Sequence, residues 1–207
     1  MHIVQSMKSR ILCLILAGGA SSRMGGHPKA LLPWGKTNVL QHLIRQVKHA
    51  GLETCVLVTG AHHDELFPHA NPKNLLICRN TEWERGIGSS LSSGIRFLEN
   101  EFPKTEAVVV LLADQPLVTS EYLAQMLSEY LENPEKIVVS GYGDAAGVPA
   151  LFPRKYWDSL VKLPPERGAG SFIKSHITHC QVLFPGEILI DIDTPEAYRK
   201  ALELKDS

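Results

Sequence analysis

The sequence predicts an α/β protein whose central sheet is mostly parallel and is covered by helices on both faces. From residue 10 to residue 131, short apolar runs typical of buried strands alternate with runs in which apolar residues recur at helical spacing. The chain has 207 residues, of which 44% are hydrophobic and 21% are charged, as expected for one globular domain with a sizeable core. We find no repeat or linker, so we expect a single domain over residues 1–207, with residues 1–8 as a loose leader.

The elements of the first half follow from apolar patterning and from the residues at their ends. The first helix is predicted because Leu40, Leu43 and Val47 recur at three- and four-residue spacing. Thr119 is predicted to cap a later helix. The predicted strands are residues 10–16, 54–59, 75–78 and 107–113, and the predicted helices are residues 40–50, 64–67, 89–98 and 120–131.

The second half is less regular. Pro195 is predicted to begin a final helix, with Asp193 or Thr194 as its N-cap, because proline is favoured at the first helical position. The other predicted elements are strands at residues 136–140, 148–152 and 188–192 and short helices at residues 156–163 and 171–176.

Charge and cysteine content exclude several classes of protein. The formal net charge is -1 and no basic stripe is present, so we expect neither nucleic acid nor a membrane as a partner. The four cysteines form no Cys-x-x-Cys pair, which favours buried, reduced thiols in a cytoplasmic protein. Lys8 and Arg10 precede an apolar run, as in a signal peptide. This run is short and is soon followed by cations, which favours a first core strand instead.

A glycine-rich loop follows the first predicted strand. Gly18 and Gly19 allow a ligand to approach the backbone closely. Ser22, Arg23 and Lys29 then add a hydroxyl donor and two cations. Since parallel sheets bind ligands at the carboxyl ends of their strands, this loop is a candidate phosphate-binding site. The alternative is a flexible surface turn with two solvated cations.

Two other glycine-containing segments match phosphate-binding motifs only in part. Residues 35–37, Gly-Lys-Thr, end like a P-loop, but Ala30 stands where its first glycine belongs. Residues 86–88, Gly-Ile-Gly, begin like a dinucleotide-binding motif, but Leu91 stands at its third glycine. Neither motif is therefore predicted.

Two acidic segments are candidates for holding a divalent cation. Asp114 follows the most apolar predicted strand. Asp191 and Asp193 are two residues apart in an extended segment, so their side chains are expected on the same side of it. Mg²⁺ prefers oxygen ligands and keeps several waters, so Asp114 and one of the later aspartates could share it. The alternatives are roles in a turn or a helix cap. Combined with the glycine loop, these acids form a coherent site for metal and phosphate.

Small and polar residues also lie between the third predicted strand and the helix after it. Asn80, Gly86, Ser89 and Ser90 belong to this run, and the two serines fall in the first helical turn, where backbone N–H groups are free. The run is a candidate ligand-binding segment, and the alternative is an ordinary helix start. Residues 62–63, both histidines, are predicted to lie in a solvated loop, because adjacent histidines point apart in regular structure.

Several of these segments occur together, in the same order, in one known family. The chain resembles the MobA-like nucleotidyltransferases over nearly its whole length, and most of all the MocA-type branch, the molybdenum cofactor cytidylyltransferases and their relatives. The resemblance is carried by Leu16-Ala17-Gly18-Gly19-x-x-Ser22-Arg23-Met24-Gly25-x-x-x-Lys29, Leu31-Leu32-Pro33, Asn80-x-x-Trp83-x-x-Gly86-x-x-Ser89-Ser90-Leu91, Leu112-Ala113-Asp114-Gln115-Pro116 and Asp191-Ile192-Asp193-Thr194-Pro195.

The resemblance implies a single Rossmann-like domain of the nucleotide-diphospho-sugar transferase type, with Mg²⁺ as its cofactor. Such an enzyme moves a nucleoside monophosphate from a nucleoside triphosphate, here with CTP favoured, to a phosphorylated acceptor, here molybdopterin or the molybdenum cofactor, and releases pyrophosphate. Arg23, Lys29 and Asp114 are then the catalytic candidates, and Asp114 and Asp193 are the candidate metal ligands. The nucleotide-binding candidates are Leu16, Ala17, Gly18, Gly19, Ser22, Arg23, Lys29, Asn80, Gly86, Ser89 and Ser90.

The chain departs from the family pattern in the half expected to meet the acceptor. Val148 stands where the family often has Asn or His before proline, and Glu166 and Gly170 replace an Asp and an Arg. Another acceptor, such as a sugar phosphate or an alditol phosphate, therefore stays open, and so does a preference for GTP. A non-catalytic role as a nucleotide-binding maturation factor, with a molybdoenzyme as partner, is a further alternative.

Overall fold

A computed structural model of the protein describes residues 10–21, 25–69 and 75–205. The leader predicted for residues 1–8 lies outside this part of the chain. The strands are β1 (Ile11–Ala17), β2 (Pro33–Trp34), β3 (Thr37–Asn38), β4 (Cys55–Thr59), β5 (Leu76–Arg79), β6 (Ala107–Leu112), β7 (Ile137–Tyr142), β8 (Ala145–Pro153) and β9 (Cys180–Leu183). The α-helices are α1 (Val39–His49), α2 (His63–Leu66), α3 (Ile87–Glu101), α4 (Ser120–Glu132), α5 (Trp157–Val161), α6 (Ala169–Ser175) and α7 (Pro195–Lys205).

Seven of these strands form one sheet in the order β5-β4-β1-β6-β8-β7-β9. Strand β1 lies between β4 and β6 and is parallel to both, so that Cys13 faces Cys55 on one side and Val109 on the other. Strand β8 is antiparallel to β6 and β7, and β9 is parallel to β7. The sheet is mostly parallel, which confirms the predicted fold class.

Side chains of β1 alternate between two hydrophobic cores, one on each face of the sheet. Cys13 and Ile15 belong to a core that includes residues of α1 and α4. Leu12, Leu14 and Leu16 belong to a second core that includes residues of α3, α5 and α6. Successive side chains of a strand point to opposite faces, so a strand buried on both sides reads as a continuous apolar run. All four cysteines are free thiols. Cys13, Cys55 and Cys78 are buried, as predicted, whereas Cys180 is half-buried.

Two predicted helix starts have the expected capping residues. Thr119 Oγ1 accepts a hydrogen bond from the backbone N–H of Tyr122 at 3.2 Å, which confirms the cap of α4. Of the two caps considered for α7, Thr194 takes the role, because its Oγ1 accepts a hydrogen bond from the N–H of Ala197 at 3.2 Å. No helix within the described ranges is both long enough and apolar enough to cross a membrane.

The predicted strand at residues 188–192 is wrong. A 3-10 turn ends there (Gly186–Ile188), and the edge of the sheet is formed instead by β9, which the sequence analysis did not predict. The run is apolar because its side chains are buried elsewhere: Leu189 packs into the first core, and Ile192 packs with Trp34 and with Ala201 of α7. An apolar run by itself does not distinguish a strand from a buried irregular segment.

A small hairpin formed by β2 and β3 follows the glycine loop. Pro33 pairs with Asn38 and Trp34 pairs with Thr37, and Gly35 in the turn has a φ of 62°. This left-handed conformation favours glycine. The segment that resembles the end of a P-loop is therefore a hairpin turn that leads into α1.

Candidate active site

A cavity of about 310 Å³ opens at the carboxyl ends of β1 and β6. Open α/β sheets bind their ligands at this edge. Residues 16–19 form one wall, and Gly86, Ser90, Lys29 and Asp114 also line the space. The structure thus brings together the glycine loop, one of the acidic segments and the start of α3, which are far apart in the sequence.

Gly18 lies where a side chain would not fit. A Cβ on Gly18 would be 2.5 Å from Ser90 Oγ. The carbonyl oxygen of Gly18 accepts a hydrogen bond from the N–H of Ala61 at 3.3 Å, and a Cβ on Gly60 would be 2.5 Å from that oxygen. A Cβ on Gly19, by contrast, would meet open space. The end of β1 is therefore packed tightly against the residues after β4 and against α3.

The glycine loop returns to the cavity at Lys29. Ser21 has a φ of 50°, which is uncommon for a residue with a side chain. Its Oγ accepts a hydrogen bond from the backbone N–H of Lys29 at 3.4 Å, so Lys29 is tied to the first part of the loop. Ser22 and Arg23, predicted to bind the triphosphate, lie outside the described residues, so their roles stay predictions.

The ammonium group of Lys29 lies between two carboxylates. It donates to Asp114 Oδ2 at 2.6 Å and to Asp193 Oδ1. The side chains of Lys29 and Asp114 are 18% and 19% exposed. Burial by itself would lower the pKa of Lys29, but the attraction and hydrogen bond of Asp114, followed by those of Asp193, raise it above its usual value. Lys29 is therefore held in its charged form at a point that both carboxylates reach.

The pair formed by Asp114 and Asp193 suits a divalent cation. Both carboxylates reach one ammonium group, so both could reach one metal ion at that position. Asp114 Oδ1 is buried and has no hydrogen-bond partner among the described residues, which leaves an oxygen suited to a cation. The same residues contain no cluster of three or more His, Cys, Asp or Glu side chains that could hold a metal. Mg²⁺ is commonly bound by one or two carboxylates, with waters and substrate phosphates as its other ligands, so the residues present fit it.

Asp191 takes a different partner from Asp193. Its Oδ1 accepts a hydrogen bond from Gln115 Nε2 at 2.8 Å. Burial raises the pKa of Asp191, and the negative charge of Asp114 raises it further. The sequence left open which of the two later aspartates stands beside Asp114 at a shared cation. The structure places Asp193 beside Asp114 at the ammonium group of Lys29, and Asp191 against the amide of Gln115. Which of the two holds a cation stays a prediction.

Asn80 holds the start of α3 rather than lining the cavity. Its Nδ2 donates to Ser89 Oγ at 2.9 Å and to Ser90 Oγ at 3.0 Å, and its Oδ1 accepts from the N–H of Glu82 at 3.0 Å. Of the four residues predicted in this segment, Gly86 and Ser90 line the cavity, whereas Asn80 and Ser89 are buried and are not among its described lining residues. Their contact with a nucleotide stays a prediction, and the observed role of Asn80 is to position Ser90.

His62 is a cavity residue that the sequence analysis missed. Its side chain is only 12% exposed, so the predicted solvated loop is wrong for this residue. One ring nitrogen lies 2.7 Å from Glu65 Oε1 and the other lies 3.2 Å from the carbonyl oxygen of Ala20, at the glycine loop. The available signal was its position two residues after Gly60, at the end of a strand. This signal is informative only once β4 is known to lie beside β1.

Comparison with known proteins places these features in a family. Residues 13–180 match the model of the MobA-like NTP transferase domain. Over 199 residues the chain is 28% identical to the molybdenum cofactor cytidylyltransferase of Escherichia coli (strain K12), covering 94% of this chain and 97% of that protein. It is 29% identical over 201 residues to the purine catabolism protein PucB of Bacillus subtilis (strain 168), covering 91% and 94% of the two chains.

Solved structures show the same fold. The crystal structure of Rv0371c from Mycobacterium tuberculosis H37Rv matches with a TM-score of 0.78 at 26% identity, covering 93% of this chain and 98% of that chain. The structure of Rv0371c in complex with manganese matches with a TM-score of 0.74 at 25% identity and the same coverage. Since the family model spans most of the sequence and includes the glycine loop, Lys29 and Asp114, the chain belongs to the MobA-like NTP transferase domain family and is a nucleotidyltransferase.

Proposed function

We propose that the protein moves CMP from CTP to a phosphorylated acceptor and releases pyrophosphate, with Mg²⁺ as its cofactor. The favoured acceptor is molybdopterin or the molybdenum cofactor. The observation that carries this proposal is the position of Lys29 between Asp114 and Asp193, beside the glycine loop and at the cavity. A cation, two carboxylates and a backbone loop can together hold a triphosphate and a divalent metal ion.

Each part of the site has its own role in the proposed reaction. Backbone N–H groups of Gly18 and Gly19 would donate to phosphate oxygens, and Lys29 would place positive charge against them. Asp114 and Asp193 would hold the cation, which when bound neutralises charge on the triphosphate.

The proposed reaction requires little proton transfer by side chains of the protein. A phosphate oxygen of the acceptor bonds to the α-phosphorus, the bond from that phosphorus to the α–β bridging oxygen breaks, and pyrophosphate leaves. Because the attacking oxygen is already ionised at neutral pH, the protein contributes mainly positioning and charge.

The relatives support the choice of substrates. The Escherichia coli relative is a molybdenum cofactor cytidylyltransferase, which favours CTP and a pterin acceptor. The manganese complex of Rv0371c supports a divalent cation. PucB is a purine catabolism protein, so relatives at nearly the same identity differ in their named roles and the acceptor needs a direct test.

A different phosphorylated acceptor is the second candidate. Val148 stands where the family often has a polar side chain. Its backbone carbonyl accepts hydrogen bonds from Tyr142 Oη and, at 3.4 Å, from Gln115 Nε2. Gln115 and Tyr142 therefore contact residue 148 through its backbone, and Val148 has no polar side chain to offer an acceptor. This difference from the family favours testing sugar and alditol phosphates as well as molybdopterin.

The experiment measures pyrophosphate release from CTP, GTP, ATP and UTP with Mg²⁺ and each acceptor. We expect the highest kcat/KM with CTP and molybdopterin. Asp114→Asn should lower kcat at least about a hundredfold, as expected for weakening the hold on a cation that stabilises developing charge. The matched control is Asp144→Asn, because Asp144 is an exposed aspartate in the turn between β7 and β8.

Three outcomes would change the proposal. Full activity of Asp114→Asn would overturn the metal assignment. Faster turnover with a sugar or alditol phosphate would replace the acceptor. Tight CTP binding with no product from any acceptor would favour a nucleotide-binding maturation factor, which co-purification with a molybdoenzyme would support.

A further inference from the structure

The segment that carries Asp193 is not part of the sheet. It lies between the 3-10 turn at Gly186–Ile188 and the start of α7. A ladder of strand hydrogen bonds therefore does not fix Asp193, whereas Asp114 lies two residues after Leu112, the last residue of strand β6. One backbone bond joins the two segments: the N–H of Ile192 donates to the carbonyl oxygen of Asp114 at 2.9 Å. Packing of Ile192 with Trp34 and Ala201 holds the segment against the protein. The direction of the Asp193 carboxylate also depends on rotation of the backbone about this one hydrogen bond, which a second attachment beside it would prevent.

Gln115 supplies that second attachment. It is 1% exposed, and its Nε2 donates to Asp191 Oδ1 at 2.8 Å and to Tyr142 Oη at 2.9 Å, with a longer contact of 3.4 Å to the carbonyl oxygen of Val148. A carboxylate only accepts hydrogen bonds, so the NH₂ half of the amide must face Asp191. The other half, Oε1, is buried without a hydrogen-bond partner in the described part of the chain. Leaving that oxygen unpaired costs free energy, so this side chain is held in place by the hydrogen bonds that its Nε2 donates.

The two attachments lie side by side along the chain. Asp114 and Gln115 are consecutive residues on one segment, and Asp191 and Ile192 are consecutive residues on the other. Two adjacent bonds prevent the rotation that one bond allows, and Asp193 is the next residue after them. Its carboxylate is then directed to the same ammonium group that Asp114 contacts.

We infer that Gln115 and Asp191 form a clasp that positions Asp193 against Asp114, and that Asp191 acts through this clasp rather than as a metal ligand. The inference rests on the proposed function, since it takes Asp114 and Asp193 as the pair that holds a divalent cation. It makes Gln115 and Asp191 positioning residues of the site. Groups that orient metal ligands typically change metal affinity 10- to 100-fold when they are removed.

The test is a titration of the full-length protein with Mn²⁺, with free Mn²⁺ measured by electron paramagnetic resonance. Gln115→Met keeps the size of the side chain and removes every hydrogen bond that Nε2 donates, and Asp191→Val removes the acceptor on the other segment. Each should raise the Kd for Mn²⁺ at least about tenfold. Asp191→Asn keeps an oxygen that can accept the same bond and should stay within about threefold of wild type.

A double-mutant cycle and a control complete the design. Both substitutions break the same hydrogen bond, the one between Gln115 and Asp191. The double variant Gln115→Met/Asp191→Val should therefore bind Mn²⁺ within about threefold of either single variant. Tyr142→Phe removes another partner of the Gln115 amide but leaves its bond to Asp191 and its contact with the carbonyl oxygen of Val148, so it should leave the Kd for Mn²⁺ unchanged. Thermal unfolding of each variant identifies any that fails to fold. If Gln115→Met does not fold, the difference in Mn²⁺ affinity between Asp191→Val and Asp191→Asn tests the clasp.

The outcomes separate the clasp from the proposed metal site. If wild type does not bind Mn²⁺, the same variants are titrated in the Lys29→Met background, which lacks the competing ammonium group. If that background does not bind Mn²⁺ either, the metal part of the proposed function fails and the clasp fails with it. If wild type binds Mn²⁺ but Asp191→Asn loses as much affinity as Asp191→Val, Asp191 is itself a ligand and only the clasp is overturned. Effects that multiply in the double variant, or a folded Gln115→Met with wild-type affinity, would also overturn it.

Discussion

Lys29 stands at the point where the proposed divalent cation would also be held. Its ammonium contacts Asp114 and Asp193, and the attraction of these carboxylates raises its pKa, so it stays charged at neutral pH. A metal ion that binds without a nucleotide must therefore compete with a built-in cation. A triphosphate relieves this competition, because its oxygens offer the ammonium other acceptors.

Lys29→Met tests this competition directly. The variant leaves two carboxylates without their internal cation, so it should bind Mn²⁺ alone about tenfold more tightly than wild type, a change of about 1.4 kcal/mol. The same variant should bind nucleoside triphosphate more weakly. Both constants can be measured by calorimetry, with Lys36→Met as the control because Lys36 is an exposed lysine of the neighbouring hairpin turn. Equal or weaker Mn²⁺ binding by Lys29→Met would show that the lysine does not compete with the metal.

Adjacent glycines of the loop should respond differently to one added methyl group. Gly18→Ala places a Cβ 2.5 Å from Ser90 Oγ, whereas Gly19→Ala places one in open space. Gly18→Ala should lower the free energy of unfolding by about 1–3 kcal/mol, as overpacking does, and Gly19→Ala should leave it nearly unchanged. Urea denaturation measures both. In the background of Ser90→Ala the cost of Gly18→Ala should largely disappear. A cost that persists there would mean that the backbone, rather than Ser90, resists the methyl group.

At the scale of elements, apolar patterning predicted the strands that are buried on both faces. β1, β4 and β6 read as continuous apolar runs because helices cover both sides of the sheet at these positions. Patterning failed at residues 188–192, where burial against α7 produces the same signal without a strand. It also missed β9, whose side chains are mostly half-buried. An apolar run therefore indicates that a segment is buried, not that it pairs with another strand.

Helix α3 contains a glycine, Gly94, and the packing of the helix against the sheet explains why no larger residue stands there. A Cβ on Gly94 would lie 2.6 Å from Leu14 Cδ1 and 2.8 Å from Val58 Cγ2, both in the core beneath the helix. Alanine favours a helix over glycine by up to about 1 kcal/mol, but overpacking costs about 1–3 kcal/mol. Gly94→Ala should therefore destabilise the protein, although it improves helix propensity.

Ser93→Ala is the matched control for this prediction. Ser93 is the preceding residue of α3, and its substitution by alanine also raises helix propensity, by less than at Gly94, while removing an atom rather than adding one. Thermal unfolding should give a lower Tm for Gly94→Ala than for wild type, and a Tm near or above wild type for Ser93→Ala. A rise in Tm for Gly94→Ala would show that α3 can move away from the sheet without cost.

At the scale of the whole molecule, the site joins segments that are far apart in the chain. Lys29 and Asp114 are 85 residues apart, and Gln115 and Asp191 are 76 residues apart. Motifs and spacing identified Lys29, Asp114 and Asp193 as candidates, because strand ends, charges and glycines are local signals. They did not predict that Lys29 bridges the two aspartates, nor that Gln115 holds Asp191. Those contacts depend on strand order and on an irregular segment, neither of which is encoded in a local pattern.

Because the site spans these segments, its ligands should stabilise the fold as a whole. A triphosphate and a cation that bind only the folded state at about 100 times their Kd add about 2.7 kcal/mol. For a domain of this size each kcal/mol raises the Tm by about 2–4 °C, so CTP with Mg²⁺ should raise it by about 5–10 °C. CTP with a chelator, or Mg²⁺ alone, should give less than about 2 °C. A triphosphate alone draws Lys29 away from the two aspartates and leaves them unpaired, and a cation alone must displace Lys29 from them. Asp114→Asn should lose the dependence on Mg²⁺ and Asp144→Asn should keep it. An equal rise with CTP and chelator would place the nucleotide away from the carboxylate pair.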